Sequence, residues 1–208
     1  MTEYIEAKKS IWTPGAPVIA DTPIKKYLLI VAIVALSALL VVLAENGGRR
    51  LAENRYYSQA VELQESNQVS EAKRAYEKVL SLNPEHAGAN LGLGMLEVRK
   101  YPLRAVARYK RAIATDPGQA DYHAWLAYAY FNQLGKPEEA VESMKKAIEI
   151  EPRNYQYHLA AGIFLSKSGR VDEAISELEQ AEKLDPMVTA AHTKLNRLYA
   201  ERKQRRAL

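Results

Sequence analysis

The sequence predicts an all-α protein in which one membrane-spanning helix precedes a solenoid of about four helical hairpins and a capping helix. Two observations predict this class. An uncharged apolar run of eighteen residues lies near the N-terminus, and the last three quarters of the chain repeat with a period of 33 to 35 residues. Such a period is typical of helical hairpins that stack into an elongated array.

The composition excludes several classes of protein. Of the 208 residues, 48% are apolar and 26% are charged, so the chain can bury a core and is not generally disordered. It has no cysteine, which excludes disulfides, a thiol nucleophile and cysteine-ligated metals. The 29 basic and 25 acidic residues give a formal net charge of +4, a balance that argues against nucleic-acid binding.

Residues 27–44 are predicted to form the transmembrane helix. They read YLLIVAIVALSALLVVLA, and at 1.5 Å per residue they span roughly 27 Å, about the hydrocarbon thickness of a bilayer. A cleaved signal peptide is the alternative, because Val42-Leu43-Ala44 resembles a cleavage site. The run is longer than the usual ~7–15 residues of a signal peptide, and 26 residues precede it, which favours an uncleaved anchor.

The charges that flank residues 27–44 predict the orientation of the helix. Four lysines precede it and three arginines follow it, at Lys8, Lys9, Lys25, Lys26 and Arg49, Arg50, Arg55. Positive charge favours the cytoplasmic side. We therefore expect a single-pass protein of a bacterial inner membrane, with its N-terminus in the cytoplasm and its large domain in the periplasm.

Two segments adjoin the predicted membrane helix. Residues 1–26 form an N-terminal tail in which apolar side chains recur at helical spacing, at Tyr4, Ile5, Ile11 and Trp12. This spacing predicts a short amphipathic helix on the membrane surface, with a disordered tail as the alternative. Residues 45–52 are predicted to be a linker, in which Gly47-Gly48 would break the chain after the membrane helix.

The repeat is visible in several positions at once. Prolines stand at Pro84, Pro117, Pro152 and Pro186. Twelve residues before each proline is an alanine, at Ala72, Ala105, Ala140 and Ala174, and four residues after each alanine is a bulky side chain, at Tyr76, Tyr109, Met144 and Leu178. Leu93-Gly94, Leu126-Ala127 and Ala161-Gly162 follow the first three prolines by nine residues. We expect these small residues to lie where two antiparallel helices touch closely.

This pattern resembles the tetratricopeptide repeat (TPR), a 34-residue helical hairpin. The resemblance covers residues 53–188, which divide into units at 53–86, 87–119, 120–154 and 155–188. Residues 189–208 repeat the first helix of a unit alone and are predicted to be a basic capping helix. The resemblance implies that the hairpins stack into a right-handed superhelix with a concave inner wall.

Candidate chemistry is sparse. His123, His158 and His192 occupy the same position in successive units, but neighbouring helices lie ~8–10 Å apart, and zinc holds each ligand nitrogen at ~2.0–2.1 Å. We therefore predict no metal site. The glycines of Leu91-Gly92-Leu93-Gly94 lie inside a predicted helix and lack the third glycine of a nucleotide loop. We expect no enzymatic activity and no cofactor.

The resemblance places the inner face of each first helix on the concave wall. That face offers an apolar and aromatic groove of Tyr57, Leu91, Met95, Val98, Tyr128, Phe131, Leu159 and Ile163. The capping helix carries a second candidate surface, a basic cap of Lys194, Arg197, Arg202, Arg205 and Arg206, which is either a solvated face or a contact for an acidic partner or anionic headgroups.

An apolar groove suits a partner helix or an extended hydrophobic segment. We therefore expect a non-catalytic, membrane-anchored scaffold: the protein–protein interaction subunit of a membrane-associated complex. The alternative is a membrane-anchored assembly chaperone for secretion or cytochrome maturation. The chaperone-docking members of the family grip a carboxylate with a lysine, asparagine and arginine set that this sequence lacks.

Overall fold

The computed structural model describes residues 23–206, which form nine α-helices and no strand. The predicted all-α class is thus confirmed. The predicted amphipathic helix of the tail lies outside the described residues. The helices are α1 Pro23–Glu65, α2 Val69–Leu82, α3 Ala87–Glu97, α4 Pro102–Thr115, α5 Ala120–Leu134, α6 Pro137–Ile150, α7 Tyr155–Lys167, α8 Val171–Leu184 and α9 Thr189–Arg206.

The first helix corrects one expectation. The predicted break at Gly47-Gly48 is absent, because α1 continues through both glycines to Glu65. Each glycine costs a helix about 1 kcal/mol relative to alanine, and the long runs of helix-forming residues on both sides outweigh that cost. By length and composition, α1 could cross a membrane over Ile30–Glu65, and its apolar side chains from Ile30 to Leu43 are exposed.

The chain divides into two units, with the boundary between Arg49 and Arg50. In the second unit, the C-terminal part of α1 pairs with α2, α3 with α4, α5 with α6 and α7 with α8, and short turns join the helices of each hairpin. Asn67, Gly135 and Gly169 take left-handed conformations in the turns within three hairpins, with φ of 56°, 61° and 77°. Asparagine and glycine are the residues that adopt this conformation most readily. The turn between α3 and α4 has no residue of this kind.

Each hairpin closes around a small residue, as the sequence predicts. A Cβ at Gly94 of α3 would lie 2.5 Å from the Tyr109 ring of α4, and a Cβ at Gly162 of α7 would lie 2.6 Å from Leu178 of α8. The alanines at the start of the second helices, Ala72, Ala105, Ala140 and Ala174, are fully buried. The conserved spacing of the sequence repeat therefore reflects close contact between paired helices.

The capping helix completes the core. Ala191, Leu195 and Leu198 of α9 are buried, and they join the apolar cluster that α5 to α8 form. The opposite side of α9 is charged and exposed. A repeat array needs such a helix because its last hairpin would otherwise leave its apolar face in water.

Candidate functional site

The recurring histidines have a structural role at the junction between units. Asn90 Nδ2, His158 Nε2 and His192 Nε2 donate to the carbonyl oxygen of the proline six residues earlier, at 3.0, 3.0 and 3.1 Å. His123 also hydrogen-bonds the backbone of Pro117, and its burial, which has the larger effect, lowers its pKa. At each of the four junctions that follow Pro84, Pro117, Pro152 and Pro186, one side chain thus bonds the proline carbonyl or backbone, which accounts for the period of the histidines.

Three adjoining cavities run along the first helices of the units. The first, of about 290 Å³, lies between α3 and α5; the second, of about 440 Å³, between α5 and α7; the third, of about 410 Å³, between α7 and α9. Tyr128 and Asn132 line both the first and the second, and Phe131 and Ile163 line both the second and the third. The cavities are therefore parts of one groove.

Most of the side chains proposed from sequence line this groove. Met95, Val98 and Tyr128 line its first cavity, and Tyr128, Phe131, Leu159 and Ile163 line its second. All of these side chains are half-buried, so each packs on the array and still presents a surface.

Tyr57 and Leu91 do not line the three cavities. The Tyr57 ring centroid lies 6.1 Å from that of Tyr76 and 4.6 Å from that of His86. Leu91 packs against the buried cluster around Tyr109 and Leu126. Leu91 thus contributes to the contact between units, and so does Tyr57, whose hydroxyl occupies the space that a Cβ at Gly88 would need.

The floor of the groove is aromatic. Trp125 meets Tyr128 edge-on with ring centroids 6.0 Å apart, Tyr128 meets Phe164 edge-on at 5.8 Å, and Phe131 stacks on Phe164 at 4.3 Å. Phe164 is 2% exposed and belongs to the core, whereas Trp125 is 37% exposed. Such contacts hold the rings in defined positions.

Sequence reasoning missed Trp125 and Asn132. Both belong to α5 and line the groove. Trp125 precedes Tyr128 by three residues and Asn132 follows it by four, which places all three on one helix face. That spacing was the signal that could have found them.

The groove is nearly free of ionised groups at its centre. Burial, and to a smaller extent Asp121, raise the pKa of Tyr128 above its ordinary value. Its hydroxyl therefore stays protonated and can donate a hydrogen bond to a ligand. Asn132 and Gln156 add amide groups that can donate and accept. The site can bind an apolar segment and satisfy some of its backbone polar groups.

The basic cap is divided between two surfaces. Lys194 and Arg197 line the third cavity of the groove. Arg202 and Arg205 line a separate cavity of about 360 Å³ between α8 and α9, which Asp172 also lines. Arg202 Nη1 lies 3.7 Å from Asp172 Oδ1, so part of the cap already has an acidic partner within the chain. The side chain of Arg206 lies outside the described part of α9.

A buried ion cluster connects the first two units. The repeat pattern does not predict it. Glu97 is 3% exposed. Its carboxylate lies 2.8 Å from Lys73 Nζ of α2 and accepts a hydrogen bond from Arg108 Nε of α4 at 3.0 Å. Burial acts to raise the pKa of Glu97, but the two cations outweigh it and hold the pKa below its ordinary value.

Comparisons with known proteins agree with this architecture. Two family models described as tetratricopeptide repeat match the chain, one over residues 57–100 and 102–156 and the other over residues 132–198. Type IV pilus assembly protein PilF of Pseudomonas aeruginosa is 35% identical over 96 residues, which is 44% of this chain. Small glutamine-rich tetratricopeptide repeat-containing protein 2 of Mycosarcoma maydis is 30% identical over 82 residues, 39% of this chain. The alignments span 35% and 23% of the lengths of these two relatives.

Solved structures show the same fold. A crystal structure of MamA aligns with a TM-score of 0.68 and 21% identity over 75% of this chain and 85% of that chain. YrrB, described as a TPR protein with an unusual peptide-binding site, aligns with a TM-score of 0.64 and 24% identity over 72% of this chain and 77% of its own. The Pseudomonas aeruginosa PilF structure aligns with a TM-score of 0.66 and 21% identity over 75% and 72%. The chain belongs to the tetratricopeptide repeat family.

Proposed function

We propose that this protein is a non-catalytic, membrane-anchored adaptor whose groove holds an apolar segment of a membrane-associated partner protein. The observation that carries the proposal is the row of three joined cavities over Trp125, Tyr128 and Phe131. Half-buried aromatic side chains offer a large contact area at low cost in conformational entropy. The peptide-binding site of YrrB, a protein of the same fold, is a precedent for this use.

The proposed location is the bacterial inner membrane, with α1 as a single anchor and the repeats in the periplasm. Two observations support the anchor: the length of α1 and its exposed apolar side chains. A cleaved signal sequence is the alternative, because it too would be an apolar helix near the N-terminus. A reporter active only outside the cytoplasm, fused after Leu208, should be active, and the protein should keep its N-terminus. An active cytoplasmic reporter in its place would reverse the orientation.

A second candidate function is assembly chaperone. The 35% identity to a type IV pilus assembly protein favours it, because that relative is named for the assembly of a pilus. A scaffold should co-purify with its partner in fixed stoichiometry after detergent extraction. A chaperone should dissociate and bind several unrelated apolar segments. Mass spectrometry of the affinity-purified complex distinguishes the two.

The groove itself is tested with exposed side chains. Phe131 is a poor choice for truncation, since it stacks on the core residue Phe164. Trp125→Ala combined with Asn132→Ala, at two exposed side chains of the groove, should instead remove the partner from the affinity-purified full-length chain. Tyr199→Ala is the matched control, because Tyr199 is 36% exposed and lies away from the three cavities.

Circular dichroism should show that both variants remain helical. Central aromatic anchors are the usual hot spots of interfaces, with losses of about 2 kcal/mol or more on truncation. If the groove variant keeps its partner, while Arg202→Ala with Arg205→Ala loses it, the binding surface is the basic cap and the groove proposal is wrong.

A further inference from the structure

The second helix of the second unit, α4, lacks the acidic first turn that the second helices of the other units have. An α-helix favours acidic residues in its first turn, because its N-terminal end carries partial positive charge. α2, α6 and α8 each have acidic side chains there, whereas α4 has none. At the position of Glu71, Glu139 and Glu173 in the other helices, α4 carries Arg104. Folding does not require this arrangement, and local departures of this kind often mark functional surfaces.

One exposed face of α4 is apolar and basic along its length. Leu103, Ala107, Lys110 and Arg111 follow a helical spacing that puts them on one side, and all four are exposed. Leu103 is 71% exposed, although the other second helices have Ser70, Glu138 and Asp172 at this position. We call this face, together with Lys100, Tyr101 and Arg104 at its start, the α4 patch.

The cations of the α4 patch are not neutralised by neighbouring acids. Within residues 23–206, no carboxylate lies within salt-bridge distance of Lys100, Arg104, Lys110 or Arg111. Lys100 and Arg104 instead lie over the ring of Tyr101, at 5.3 and 5.2 Å from its centroid. Arg108, one turn after Arg104, is bound to the buried Glu97 and is not part of the patch, whereas the cations of the patch are available to an anionic partner.

The α4 patch has the form of an open surface. Its residues line neither the groove nor the cavity between α8 and α9. It combines long cationic side chains with an exposed leucine and a half-exposed tyrosine. Cations attract anionic headgroups, and leucine and tyrosine side chains partition into the headgroup boundary of a bilayer.

We propose that the α4 patch docks the repeat domain on an anionic membrane surface. The proposal rests on the membrane anchor proposed above, which keeps the repeats near a bilayer, and it is independent of the groove. An acidic protein could satisfy the cations and bury Leu103 as well, and the membrane is favoured because the proposed anchor keeps a bilayer within reach. Membrane docking uses the charges and the leucine together.

The absence of cysteine allows a direct test on the full-length chain. Ala107→Cys places an environment-sensitive fluorophore at the centre of the patch, and Ser176→Cys places it at the equivalent exposed position of α8. Each protein is reconstituted into vesicles that contain nitroxide-labelled lipid. One set is phosphatidylcholine alone, and the other also contains phosphatidylglycerol. Flotation with phosphatidylcholine vesicles reports the anchor separately, so failure of the anchor and failure of the patch are distinguishable.

We expect lipid quenching at residue 107 in the phosphatidylglycerol vesicles and its loss in phosphatidylcholine. High salt should abolish it, because the screening length falls to about 3 Å at 1 M. The label at residue 176 should stay unquenched. Arg104→Ala and Arg111→Ala should each lower the ratio of docked to undocked protein roughly fivefold, since a basic residue near an anionic surface contributes about 1 kcal/mol.

A chain that floats but shows no quenching at residue 107, or equal quenching in both kinds of vesicle, overturns the proposal. Soluble poly-glutamate tests the alternative that the α4 patch binds an acidic protein. If it shifts the emission of the label in a salt-dependent manner while phosphatidylglycerol does not, the patch recognises acidic proteins and the membrane proposal is wrong.

Discussion

Gly94 of α3 lies against the ring of Tyr109 of α4, so that a Cβ at Gly94 would stand 2.5 Å from Cε1 of the tyrosine. Elsewhere in a helix, Gly→Ala stabilises by about 1 kcal/mol. Here Gly94→Ala should destabilise the protein by about 1–3 kcal/mol, the usual cost of overpacking. Chemical denaturation followed by circular dichroism measures the change. Gly47→Ala is the control, because nothing lies within 4 Å of its Cβ position, and it should cost nothing.

The same substitution should have opposite effects at two tyrosines. The Tyr109 hydroxyl is buried without a hydrogen-bond partner in the described part of the chain, and burial raises its pKa. Tyr157, in contrast, donates to Asp121 Oδ1 at 2.6 Å. We expect Tyr109→Phe to stabilise the protein by about 1 kcal/mol and Tyr157→Phe to destabilise it by about 1.5 kcal/mol. Denaturant midpoints test this, and a loss of stability in both variants would contradict it.

Glu97 should stabilise the junction of the first two units in a pH-dependent manner. Glu97→Gln leaves Lys73 and Arg108 without their buried partner, at a cost of about 3 kcal/mol at neutral pH. Because the folded protein holds the pKa of Glu97 below the ordinary 4.5, this stability is present above pH 4.5 and is lost as the pH falls through the lower folded value.

Unfolding of the wild type and of the Glu97→Gln variant, measured from pH 7 to pH 3, should therefore converge at acid pH. Glu149→Gln is the control. Glu149 pairs with Lys146 at 2.7 Å on the exposed surface, where such a pair contributes little. A constant difference between the wild type and Glu97→Gln at every pH would show that shape, and not charge, matters at Glu97.

Ala174 tests the packing of the last hairpin. It is fully buried, and its carbonyl oxygen would lie 3.1 Å from a Cβ at Gly162. Ala174→Leu adds three carbon atoms to this contact and should cost about 1–3 kcal/mol. The melting temperature should fall, and the loss should extend to α7 and α9, since repeat arrays are stabilised by neighbouring units. Ala190→Leu, at an exposed position of α9, should leave the melting temperature unchanged.

The sequence determined the local features of this protein. The regular spacing of Pro84, Pro117, Pro152 and Pro186 predicted helical hairpins, because a helix cannot continue through proline and each proline therefore marks the end of one unit. The paired small and bulky residues, such as Gly94 and Tyr109, predicted close helix contacts, because each pair belongs to a single hairpin. The resemblance to the tetratricopeptide repeat placed Met95, Tyr128 and Ile163 on one wall, since equivalent positions of stacked hairpins line up.

Only the tertiary structure decided which side chains meet across units. The ion cluster of Lys73, Glu97 and Arg108 draws on three helices, so no spacing within one helix could predict it. The sequence also could not predict that the basic cap is split between two surfaces. That split depends on a contact between two helices, in which Arg202 of α9 lies beside Asp172 of α8. A repeat period specifies what recurs in every unit, whereas these contacts depend on side chains that occur once and on the rotation between neighbouring hairpins.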